Sequence, residues 1–173
     1  MKKIISILLI ALTLLAMTAC QTSDPATNPG TTPTTTAGKK EPKPLVLSDT
    51  YAAITANVTM PEMMLLDDAD TVLDLYGIHI EHTKQMQIWL CVNSLRADEI
   101  WLIEATDADA LAQLKQMAQN RLTAKYEESV TYSPEQNAIV KKAHLETYGN
   151  YLVMIVSPDV DSLVDAFKTE AGV

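Results

Sequence analysis

The chain is short of positive charge and of glycine, and each shortage excludes a class of function. It holds 13 lysines and arginines against 22 aspartates and glutamates, for a formal net charge of −9. Nucleic acid selects basic surfaces, so it is excluded as a partner. The five glycines form no phosphate-binding loop and no Gly-x-Ser-x-Gly nucleophile elbow.

No apolar run near the start is long enough for a transmembrane helix. Ile4–Leu15 falls short of the roughly 20 apolar residues that a span needs. It follows the basic start Met1–Lys3 and precedes the small residues Thr18 and Ala19 and then Cys20. This order predicts a secretory signal peptide over residues 1–19.

Met17–Cys20 resembles the lipobox of bacterial lipoproteins, with methionine where leucine is commonest. The resemblance implies that the Cys20 thiol receives a diacylglycerol and becomes the first mature residue. We therefore expect a protein held by acyl chains such as palmitate at the extracytoplasmic face of the cell membrane, since two chains anchor stably. The alternative is an ordinary signal cut after Ala19, which leaves a soluble secreted protein with a free thiol.

Acylation of Cys20 would have two consequences for the mature chain. Loss of Lys2 and Lys3 with the signal takes the formal charge from −9 to −11, so anionic lipid would repel the protein surface. Cys91 would be left without a disulfide partner, and the domain must then be stabilised by its core.

Composition divides the rest of the chain into two parts. Residues 20–44, rich in threonine and proline, cannot bury enough apolar surface to offset their ordering entropy, which predicts a flexible tether. Residues 45–173 are long enough for one domain with its own core.

Apolar periodicity predicts an α+β domain. Two short helices come first: Ser48 or Asp49 caps one, Asp67 or Asp68 caps the other, and Gly77 ends the second. Two hairpins follow, and each is followed by a helix. The predicted strands are 85–92, 99–105, 144–148 and 151–156, and the predicted helices after them are 107–128, a short one from Ser133, and one from Asp159.

The two ββα-like units would make a four-stranded antiparallel sheet with helices packed on it. Residues 63–66 are apolar without a clear period and are expected to be extended. In the long helix the predicted buried stripe is Leu111, Leu114, Ala118, Leu122 and Tyr126.

The order of several landmarks resembles a family of small bacterial lipoproteins, mainly Gram-positive, known as a domain of unknown function. The landmarks are Tyr76–Ile78, Ala97–Ile100, Tyr132–Glu135, Tyr148–Tyr151 and Phe167. The likeness covers about residues 45–170, and it implies the same lipid-anchored location at the cell envelope and the same fold class. It implies no catalytic residues. The chain departs from the family at residues 78–82, where acidic turn-forming residues are usual.

No pattern predicts a metal, a cofactor or a catalytic residue. His79 and His82 flank Glu81, but a metal needs three or four ligands and His144 would have to arrive through the fold. We interpret the pair as exposed turn histidines, although its role stays open. Cys91 lies in an apolar strand, which favours a core cysteine over a nucleophile.

The acidic run before and within the second helix suggests calcium at first sight, but the calcium-loop spacing is broken. We interpret these residues as helix-capping and first-turn acids, which the helix dipole favours.

Two hypotheses about function follow. The first is a non-catalytic module at the cell envelope that binds an envelope protein or a small ligand. Its candidate contact residues are Tyr76, Tyr132, Tyr148 and Tyr151. The second is a cell-envelope hydrolase, which would require Asp98, Glu99, Glu104 and a histidine to meet in one cleft.

Overall fold

The computed structural model describes residues 40–173, which contain five strands, five α-helices and one 3₁₀ turn at Ile80–His82. The strands are β1 (Met63–Leu66), β2 (Thr83–Cys91), β3 (Glu99–Ala105), β4 (His144–Tyr148) and β5 (Tyr151–Val156). The helices are α1 (Leu47–Thr55), α2 (Ala69–Tyr76), α3 (Ala108–Tyr132), α4 (Pro134–Val140) and α5 (Val160–Ala171).

The strands form one antiparallel sheet in the order β1-β2-β3-β5-β4. The predicted α+β class and antiparallel pairing are confirmed, but the predicted number of four strands is wrong. Residues 63–66 form the fifth strand, with Met63 opposite Cys91 and Leu66 opposite Ile88. An apolar segment with no period of its own is ordered here because it pairs with the otherwise open edge of β2.

Helices cover both faces of the sheet. Ile100 and Leu102 of β3 lie in the core beneath α1 and α5, whereas Trp101 and Ile103 lie in the core beneath α2 and α3. The helices that follow the two hairpins, α3 and α5, therefore pack on opposite faces. A twofold axis relating two ββα units within one antiparallel sheet would keep both helices on one face, so the units are not related by that symmetry.

The predicted ends of α2 are confirmed, whereas the predicted start of α1 is not. Asp68 caps α2 by accepting a hydrogen bond from the Thr71 backbone at 2.8 Å, and Gly77 ends it in the left-handed conformation (φ 70°), as predicted. The predicted caps of α1 are wrong. That helix begins at Leu47, so Ser48 and Asp49 lie inside its first turn.

The last residues of the predicted tether contact the domain. Lys43, near the end of the tether, donates its backbone N–H to the Ala171 carbonyl at 2.9 Å, and Leu45, the first residue of the predicted domain, donates to the Tyr151 hydroxyl at 3.0 Å. The predicted signal peptide, the lipidation site Cys20 and residues 20–39 of the tether lie outside the described residues. Within residues 40–173 no helix has the length and apolarity to cross a bilayer.

Candidate ligand-binding site

A cavity of about 660 Å³ opens between the β2–β3 turn and the C-terminal part of α3. Its wall includes Asp98 and Glu99 at the start of β3, and Arg121 and Lys125 from α3. Such a volume is typical of small-molecule sites, which range over about 300–1,000 Å³.

Leu95 from the turn and Tyr132 from the end of α3 line the same cavity, and we call them the apolar rim. Leu95 is 82% exposed and Tyr132 is 86% exposed. Single exposed apolar side chains are common, but two that border one cavity beside charged groups are a feature of ligand-binding grooves.

Three charged side chains meet in what we call the buried ion cluster, made of Glu99, Arg121 and Lys125. Arg121 donates to Glu99 through Nη2 at 2.8 Å and through Nε to both carboxylate oxygens at 3.1 Å. Lys125 Nζ lies 3.0 Å from Glu99 Oε2, and Trp101 Nε1 donates to Oε1 at 2.7 Å. Glu99 is fully buried, and these donors replace the water that an ionised carboxylate would otherwise need.

Helical spacing explains why α3 supplies both cations. Counted from Leu114, Ala118 lies four positions on, Arg121 seven and Lys125 eleven, so the two cations continue the buried stripe. The predicted stripe was wrong at Tyr126, which is 41% exposed. Lys125 takes the buried place because Glu99 lies opposite it. The signal that could have revealed the cluster is this spacing, together with a glutamate opening an otherwise apolar strand.

Tyr76 covers the back of the buried ion cluster. The centroid of its ring lies 5.4 Å from Arg121 Cζ, a cation–π contact, and 4.8 Å from that of Trp101. Burial, with the charge of Glu99 added, raises the pKa of Tyr76 to about 12. Burial alone would lower the pKa of Arg121, but the hydrogen bond and the charge of Glu99 raise it. Both groups therefore hold their protons firmly at neutral pH.

Asp98 is the second buried carboxylate of the wall and is only 2% exposed. Its Oδ2 accepts from Arg96 Nε at 3.0 Å, and this hydrogen bond raises the pKa of Arg96. Its Oδ1 is buried and has no hydrogen-bond partner among the described residues. Buried polar atoms are nearly always paired, so this oxygen calls for a donor that the folded chain does not supply.

Cys91 also lines the cavity and is half-buried. The prediction of a core cysteine is therefore wrong. The residue ends β2, and its thiol interacts electrostatically with Arg96. A thiol-specific reagent can therefore be used to test access to the cavity.

The four candidate contact tyrosines lie in different places. Tyr132 belongs to the apolar rim, and Tyr76 packs behind Arg121. Tyr148 and Tyr151 are buried in the core beneath α1 and α5. Burial and a hydrogen bond to Glu146 raise the pKa of Tyr148. The structure brings only Tyr132 of the four to the cavity wall.

The residues required by the hydrolase hypothesis meet only in part. Asp98 and Glu99 line the same cavity, but Glu104 lies at the far end of β3, where it accepts from Lys84 at 3.3 Å and Gln85 at 2.8 Å. No histidine lines the cavity within residues 40–173.

The histidines lie elsewhere. His79 and His82 have ring centroids 5.6 Å apart, and His144 lies on β4 near Tyr148. Across the described part of the chain no three His, Cys, Asp or Glu side chains are grouped to hold a metal ion.

The fold and the cavity define an α+β domain with a charged, ligand-sized site. The chain belongs to the family described as "Domain of unknown function (DUF4358)", whose model matches residues 56–157. The predicted resemblance to a domain of unknown function is confirmed. The matched segment contains all five strands and every residue that lines the cavity, whereas α1 and α5 lie outside it. No curated protein and no solved structure matches the chain.

Proposed function

We propose that this protein is a bacterial lipoprotein, anchored through Cys20 at the extracytoplasmic face of the cell membrane, whose domain binds a small ligand without chemical conversion. The order of basic start, short apolar run, small residues and Cys20 supports the anchor. The cavity with its exposed apolar rim carries the binding part of the proposal.

The anchor predicts the mass of the mature protein. Protein purified from the membranes of its native cell should begin at Cys20 and carry diacylglycerol on that residue. A Cys20→Ala chain, made in parallel, should lack the acyl mass. Mass spectrometry of both chains checks this, and a mature terminus at any other residue, or one without fatty acids, contradicts the anchor.

The binding proposal predicts that a ligand shields Cys91. We expect a maleimide to label Cys91 in the detergent-solubilised full chain, and a low-molecular-weight extract of the native cells to slow the labelling. At a ligand concentration about tenfold above Kd the rate should fall about tenfold, because only the unliganded fraction exposes the thiol. Peptide mass spectrometry measures the rate at this residue.

A matched control separates shielding from loss of reagent. In a Cys91→Ser, Ser48→Cys chain the thiol lies on α1 outside the cavity lining. Its labelling rate should not respond to the extract. An equal slowing at both positions, or none at Cys91, would count against ligand binding in the cavity.

The hydrolase alternative is favoured by one observation, the meeting of Asp98 and Glu99 in the cavity wall. Against it, the Glu99 oxygens are engaged by Trp101, Arg121 and Lys125, which leaves neither free to move a proton. The two proposals differ in what happens to the ligand. Recovery of the protecting compound with unchanged mass after prolonged incubation supports binding, and recovery of a hydrolysed product supports the enzyme.

A further inference from the structure

We infer that the cavity binds a small zwitterion, an amino acid or a short peptide whose ammonium group meets Asp98 and whose carboxylate meets Lys125. The inference rests on the proposed function, because it assumes that the cavity holds a ligand. The ligand's chemistry follows from two features of the cavity wall, an unpaired oxygen of Asp98 and an excess of positive charge at Lys125.

The first requirement is a hydrogen-bond donor for Asp98. Oδ1 is buried, belongs to a residue of the cavity wall, and has no partner among the described residues. The other residues of the wall leave it unpaired, and we take a ligand group seated against Asp98 as its donor. An ammonium group fits best, because a charged donor forms the strongest hydrogen bond to a carboxylate.

The second requirement is negative charge beside Lys125. The single carboxylate of Glu99 is shared by Arg121 and Lys125, so the buried ion cluster has one more positive charge than negative charge. Lys125 has three N–H donors, and Glu99 is the partner that the described residues provide for them. Lys125 is 8% exposed and shares the charge of Glu99 with Arg121. A ligand carboxylate beside it would therefore be stabilised by the remaining positive charge.

The overall charge of the wall decides between a zwitterion and a simple ion. The charged groups of the lining are Arg96, Arg121, Lys125, Asp98, Glu99 and Glu128. Three are positive and three are negative, so the lining is formally neutral. A ligand with a net charge would give the desolvated site an uncompensated charge. A zwitterion brings one charge of each sign, so the site stays neutral.

The apolar rim provides room for the ligand's side chain. Leu95 and Tyr132 border the charged wall and would be covered by an aliphatic or aromatic group. Leucine and leucyl-leucine are therefore suitable probes, and they differ in the distance between ammonium and carboxylate.

Charge-deleted probes test the inference on the unaltered chain. Leucine and leucyl-leucine should bind to the detergent-solubilised full chain, and at least one should protect Cys91 from maleimide. The N-acetyl form and the C-terminal amide of the binding probe should each bind about ten- to a hundredfold more weakly, since each loses one charged hydrogen bond. Isothermal titration calorimetry measures the affinities.

Variants assign each charge to its residue. With Asp98→Asn the parent probe should weaken to the level of its N-acetyl form, and with Lys125→Met to the level of its amide. The matched controls are Asp109→Asn and Lys115→Met, which lie on exposed positions of α3 outside the lining. They should leave the affinity unchanged.

The outcomes separate this inference from the proposed function. Protection of Cys91 by the cell extract but by neither zwitterion overturns the inference and leaves the proposed function standing. Binding of the acetylated or amidated probe as tightly as the parent also overturns it. Absence of protection by extract and probes alike overturns both.

Discussion

Replacing Glu99 with glutamine is expected to lower the free energy of unfolding by about 3–5 kcal/mol. The change removes the carboxylate that compensates Arg121 and Lys125, and Lys125 is nearly buried. A glutamine has nearly the same shape and still accepts a hydrogen bond from Trp101. The loss of stability therefore measures the effect of removing the negative charge. Urea unfolding followed by circular dichroism, on the full chain with Cys20→Ala, measures it.

Two comparisons make this result specific. Glu170→Gln breaks the exposed ion pair with Lys43, which spans 3.2 Å, and should change the stability by no more than about 1 kcal/mol. Adding Arg121→Leu and Lys125→Met to Glu99→Gln should recover most of the loss, since both uncompensated cations are removed and Trp101 Nε1 keeps an acceptor. A loss in Glu99→Gln no larger than in Glu170→Gln would contradict the account.

Replacing Phe167 with alanine is expected to cost about 3–5 kcal/mol in the same measurement. It is the single phenylalanine of the chain and is fully buried on the inner face of α5, with its ring centroid 5.1 Å from that of Tyr148. Truncation removes the buried ring and leaves a cavity that the packed sheet can only partly fill. Phe167→Leu, which keeps most of the volume, should cost less than about 1.5 kcal/mol.

Tyr132→Ala is the matched control for Phe167→Ala, because it also deletes an aromatic ring. Its ring is exposed at the apolar rim, so the free energy of unfolding should change by less than about 0.5 kcal/mol. A similar cost for the two substitutions would mean that the core beneath α1 and α5 is not what stabilises this face of the sheet.

Local patterns predicted most of the secondary structure. The bounds of β3, β4 and β5 were confirmed residue for residue, and Gly77 ends α2 as predicted. These features depend on alternation, caps and turns, which lie within a few residues of sequence. The fifth strand was missed because the order of residues 63–66 depends on pairing with β2, which lies more than 20 residues further along the chain.

The candidate site was predicted only in fragments. The hydrolase hypothesis named Asp98 and Glu99 and the binding hypothesis named Tyr132, but neither placed them in one cavity. Arg121 and Lys125 were missed, because a charged residue on a helix is usually assigned to the solvent side. The predicted core position of Cys91 was wrong for a related reason: burial at the end of a strand depends on which helix covers it.

Within the described residues, the sequence by itself determined an α+β domain with two hairpins and the ends of α2, because apolar periodicity and capping chemistry act over a few positions. Only the tertiary structure decided that Glu99 meets a cation 22 residues away and that Asp98 is buried with an oxygen unpaired. Those facts depend on how α3 crosses β3, and the free energy of burying a charge depends on its neighbours in space rather than its neighbours in the chain.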